Sequence, residues 1–80
     1  MPIFVLSHEH SPAECRHVFA AWYGFDSPLR HRPTLGACLL GEHRLFWTVR
    51  AADNHTALEL LPGFVAERTD ALEVRTVLIP

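Results

Sequence analysis

Residues 3–10, IFVLSHEH, constrain the fold more than any other segment, because a helix-starting signal follows them at once. Side chains in an extended chain alternate between two faces. Phe4, Leu6, His8 and His10 therefore share one face, and Ile3, Val5, Ser7 and Glu9 share the other. Both faces begin apolar, so both call for a cover. Ser11-Pro12-Ala13-Glu14 then fits a capping box, with Ser11 as N-cap, Pro12 in the first helical position and Glu14 reaching back from the third. Cys15, Val18, Phe19 and Trp22 follow at helical spacing as one buried stripe, and Gly24 ends the helix as a left-handed cap.

The rest of the chain repeats the theme. Residues 25–33, FDSPLRHRP, form a polar, proline-punctuated loop in which Asp26 or Ser27 caps a turn. Residues 34–40, TLGACLL, read as a second strand, 41–43 as a short hairpin connection and 44–51, RLFWTVRA, as a third strand. Asp53 caps a second helix with Ala57, Leu60, Leu61, Phe64 and Val65 on one side. Pro62 either kinks that helix or restarts it. Residues 73–79, EVRTVLI, complete a fourth strand.

The order βαββαβ predicts one α+β domain over residues 1–80, with a four-stranded antiparallel sheet and two helices on one face: the split βαβ of ferredoxin-like domains. Helices cover only one sheet face, yet the strands are apolar on both, with Leu45, Trp47 and Val49 opposed to Phe46 in the third. A lone copy would expose a large apolar patch, so a homodimer packed sheet to sheet is expected. Eighty residues also lie near the lower size at which a core alone holds a fold, which makes a partner subunit the first expected staple and a metal the second.

With these segments in view, the chain resembles small bacterial ferredoxin-like proteins that dimerise as α+β barrels. The likeness is to an uncharacterised bacterial family with segments akin to GFDSPLRHRPTLGAC, HRLFWTV and LLPGFVAERT, here residues 24–38, 43–49 and 60–69. More distantly the chain is similar to small ferredoxin-like nickel-binding proteins. The resemblance implies a dimeric α+β barrel. It leaves activity open, because dimeric-barrel relatives include cofactor-free monooxygenases, isomerases and haem-degrading enzymes.

Charge removes some functions. The net charge is −2, and the seven basic residues, all arginine, form no dense cluster, so a phosphate-driven nucleic-acid interface is not expected. No apolar run approaches the ~20 residues of a membrane span. The first residues are too few and insufficiently basic for a signal peptide, so a cytoplasmic protein with Cys15 and Cys38 reduced is expected.

Six histidines stand out. His8 and His10, on one strand face, are spaced to grip a divalent transition metal such as nickel, copper or zinc, with His17, His43 or Cys15 as third donor. The alternative places both at a strand end facing water. Cys15 and Cys38 lack metal-ribbon spacing and read first as packing residues. In the loop, Arg30 and Arg32 suit a planar anion, whereas the plainer reading has them paired with acids across a dimer seam. With Trp47 in an aromatic cleft beside Arg32, the loop also supports a cofactor-free enzyme with His31 as base, Arg30 as anchor and Asp26 nearby. Three functions therefore stand: a homodimeric module binding a metal or small organic ligand, that enzyme, and a pure assembly domain.

Overall fold

The computed structural model describes all 80 residues. The first strand, β1 (Ile3–Glu9), lies inside the sheet and pairs antiparallel on both sides. A 3-10 turn at Pro12–Glu14 leads into α1 (Cys15–Ala20). The Glu14 carboxylate accepts the Ser11 N–H at 2.9 Å, the expected half of the capping box, and Gly24 adopts φ +75° where the chain leaves the helical turns. After the loop come β2 (Leu35–Gly36) and β3 (Arg44–Arg50), then α2 (Asn54–Leu58), α3 (Gly63–Ala66) and β4 (Thr69–Val74). The sheet is wholly antiparallel in the order β2-β3-β1-β4.

Of the two apolar faces of β1, the helices cover the one that carries Phe4. Phe4, Leu6 and His8 are buried beneath the helices together with Leu45, Trp47 and Val49 of β3. Val18 of α1, Ala57 of α2 and Val65 of α3 close the core from above, all fully buried. Asp53 caps α2, its carboxylate accepting the Thr56 N–H at 2.8 Å. Pro62 restarts the helix: it sits as N-cap of α3, so the expected second helix is two short ones.

Two strands depart from expectation. The second is expected over 34–40, but only Leu35–Gly36 pair, and Cys38–Leu40 form a 3-10 turn. The Ala37 carbonyl accepts both the Leu40 and Glu42 N–H groups, and Gly41 takes φ +90°, which turns the chain back toward β3 early. The fourth is expected over 73–79 and instead spans Thr69–Val74. Its partner sets the limit: Ile3 at the start of β1 pairs with Val74, so residues 75–80 run past the end of that strand with no ladder to join.

The opposite sheet face has no helix. Ile3, Val5, Phe46 and Val74 lie there half-buried, and Leu35 and Leu72 are exposed. No helix of the chain is long and apolar enough to cross a membrane.

Stability should rest on the single covered face. Leu6→Ala is expected to cost about 2–5 kcal/mol, which approaches the whole stability of a domain this small. Glu59→Ala, which removes only an exposed pair with His55, should change it by less than ~0.5 kcal/mol. Urea melts followed by circular dichroism check the contrast; equal effects would place the core elsewhere.

Candidate functional site

The buried end of β1 carries the densest chemistry. His8 has no exposed surface and His10 is 5% exposed, so neither faces water at a strand end. The ladder brings Thr69 of β4 opposite His8. His8 Nδ1 lies 3.0 Å from the Thr69 hydroxyl and 3.2 Å from the Val65 carbonyl. Thr69 donates its own proton to that carbonyl at 2.7 Å. Both oxygens thus act as acceptors, and the proton belongs on His8 Nδ1.

The consequence passes along the strand. Neutral His8 presents its lone pair at Nε2, which stands 2.9 Å from His10 Nδ1. His10 must donate there, and its own lone pair is left on Nε2. That atom is buried with no hydrogen-bond partner, as is His43 Nδ1. Buried polar atoms without partners are uncommon enough to need an explanation.

His43 and Cys15 stand beside this nitrogen for local reasons. His10 N–H donates to the His43 carbonyl at 3.0 Å, one step beyond the Glu9–Arg44 pair, so the ladder seats His43 next to His10, ring centroids 5.3 Å apart. The Ser11–Glu14 turn folds α1 back over the strand end. Arg68 Nε donates to Glu14 at 2.8 Å and ties that turn to the residue before β4. One ligand atom each from His10, Cys15 and His43 falls within 4.8 Å of the others. Donors bound tetrahedrally at zinc distances would be about 3.4–3.6 Å apart, so modest side-chain rotation closes the set. Two imidazoles and a thiol, with two orphaned nitrogens among them, fit a transition metal.

The expected pair is therefore rearranged. His10 and His43 join the cluster, while His8, with both nitrogens engaged, stands behind His10. His17 lies outside it, its ring 6.1 Å from Phe64. Cys15, read first as packing, is half-buried with its sulfur in the cluster. Spacing offered Cys15 both as a stripe position and, beside His17 and His43, as a third donor, and could not choose between the two. The clue was the short turn that returns residue 15 to the strand that residue 10 ends.

A second region gathers the loop residues. Arg30, His31 and Arg32 line a cleft of about 240 Å³ with Trp22, Tyr23 and Trp47. Ser27 anchors the loop, donating to the Leu60 carbonyl at 2.7 Å and accepting the Leu29 N–H. Asp26 is exposed and does not line the cleft. Comparison with known protein families, with curated proteins and with solved structures gave no match.

Burial, then the neighbouring imidazole, holds His8 below the usual histidine value of 6.5, and burial, then His43, does the same for His10. The unfolded chain consequently binds more protons than the folded one just below 6.5. Metal-free protein should keep its full stability above that value and lose it progressively as pH falls through and below it. Chemical denaturation from pH 7.5 to 5 checks this; a midpoint that stays constant or rises on acidification would contradict the buried neutral pair.

Proposed function

We propose that the chain is a transition-metal-binding protein whose ligands are His10, His43 and Cys15. The observation that carries this reading is the pair of partnerless buried nitrogens, His10 Nε2 and His43 Nδ1, in a cluster with a thiol. Imidazole alone suits nickel, copper and zinc alike. A thiolate adds softness, which favours zinc or copper over nickel. Three protein ligands leave one position for water or another ligand, as in zinc sites that do chemistry. His8 takes the orienting role common behind metal-bound histidines, fixing ring and tautomer through a second hydrogen bond.

Calorimetric titration with Zn²⁺ tests the assignment. Wild-type protein should bind one ion with micromolar or tighter affinity, weakening as pH falls because protons compete with the metal for the thiolate and the imidazole nitrogens. His10→Ala and His43→Ala should each lose most of the affinity, and Thr69→Val, which disturbs His8, about 10–100-fold. His17→Ala should bind like wild type. Equal affinities for wild type and His10→Ala would remove the reading.

The same reading has the protein acting as a homodimer of ferredoxin-like domains joined through the helix-free sheet face. The strand order β2-β3-β1-β4 supports the fold assignment. Surface area supports the partner: the chain exposes 5847 Å², whereas a compact monomer of its mass exposes about 4,900 Å². Part of that excess lies in the run 75–80 beyond the ladder, where Val77, Leu78 and Ile79 are exposed, and part on the helix-free face, where Leu35 and Leu72 are exposed. The radius of gyration, 13.1 Å, likewise exceeds the ~11.6 Å of a compact chain this long.

Light scattering at micromolar concentration should return twice the chain mass of 9.1 kDa. Phe46→Asp, on the helix-free face, should lose the folded signal altogether, because folding and pairing are then one equilibrium. A monomeric wild type would contradict the dimer.

A further inference from the structure

We infer that the cleft beneath the arginine loop binds a small planar aromatic carboxylate. This goes beyond the metal reading and uses different residues. Trp22 and Trp47, ring centroids 6.0 Å apart, form the apolar wall, and Tyr23 stands at the rim with 82% of its surface exposed. An exposed aromatic beside a concave aromatic wall is a ready stacking surface. At about 240 Å³ the space lies below the ~300–1,000 Å³ of drug-sized sites, so it suits one or two fused rings.

The charge at the mouth selects an anion. Arg30 and Arg32 both line the cleft, and no acidic side chain does. None of the chain's ion pairs involves either arginine. Arg30 makes one long hydrogen bond, 3.4 Å to the Phe25 carbonyl, and the Arg32 side chain makes none. Two guanidinium forks without carboxylates, above an aromatic wall, match a flat molecule with one carboxylate edge.

The loop is also held in shape before any ligand arrives. His31, between the two arginines, has φ +62°, the one non-glycine residue in the left-handed region. Strain of that kind persists only where the surroundings enforce it, and it collects at ligand clamps. The Ser27 bond to the Leu60 carbonyl and the packing of Leu29 against the core supply the enforcement. With φ reversed at residue 31, the chain changes direction between Arg30 and Arg32 and both remain on the cleft.

Trp22 and Trp47 make the test optical. Titration with 2-naphthoate should quench tryptophan emission saturably, with a dissociation constant in the sub-millimolar range. 2-Naphthamide, of the same shape without the charge, should bind at least tenfold more weakly. Arg30→Ala/Arg32→Ala should weaken 2-naphthoate at least tenfold with little effect on the amide. Arg32→Gln, at an exposed side chain that makes no hydrogen bond, gives the same readout should the double variant unfold, and at least a threefold loss is expected. Equal affinity for acid and amide, unchanged affinity in Arg32→Gln, or no saturable quenching at millimolar 2-naphthoate would each overturn the inference. Bound Zn²⁺ should leave all these values unaltered, which separates failure here from failure of the metal site.

Discussion

An imidazole with no exposed surface sits where β1, α3 and β4 meet, and the structure is arranged around satisfying it. A buried polar group without partners costs about 1–3 kcal/mol, a large fraction of what an 80-residue domain has in hand. His8 avoids that cost only if Thr69 lies opposite it and the Val65 carbonyl points down at it. Those two conditions tie the end of α3 to the start of β4 and set the register of β4 on β1. Arg68, between them, adds the bond to Glu14 that pins the first helical turn. A hydrophobic residue at position 8 would fill the space without dictating any of these relations.

Satisfying His8 moves the problem rather than ending it. The proton on its Nδ1 forces a lone pair to Nε2, His10 supplies a proton to that lone pair, and an unpaired nitrogen emerges at His10 Nε2. Under the proposed function a metal ion would accept that lone pair, with Cys15 and His43 as the further donors. Structure and proposed function thus share one cause. The same hydrogen bonds that hold β4 in place hold His10 in the tautomer a metal needs.

Much of the fold was legible because local signals agreed with one another. Alternation in β1 and β3 sorted the residues into two faces without saying which one the helices cover; Asp53 capped where expected and Pro62 announced the break before α3, whereas α1 ends at Ala20 with Ala21 as its C-cap, short of Gly24. The edges were not legible, because strand ends depend on the partner strand. Nothing in EVRTVLI shows that β1 has run out by Val74. The site was legible in part. Spacing put His8 and His10 on one face, but which nitrogen meets which depends on Thr69, 61 residues away from His8. A cleft beside the loop arginines and Trp47 was only one of two readings of those residues, the other having the arginines paired with acids; Arg30, Arg32 and Trp47 line a cleft together. The covered sheet face therefore carries both candidate sites.

Cobalt substitution examines the proposed centre most directly, since Co²⁺ reports both ligand type and geometry. Titration of metal-free protein should saturate at one equivalent, with a thiolate-to-cobalt charge-transfer band in the near ultraviolet and strong visible bands of a four-coordinate ion. Cys15→Ser should lose the first while retaining weaker metal binding. A faint six-coordinate spectrum without the charge-transfer band, identical in wild type and Cys15→Ser, would contradict a centre built from His10, Cys15 and His43.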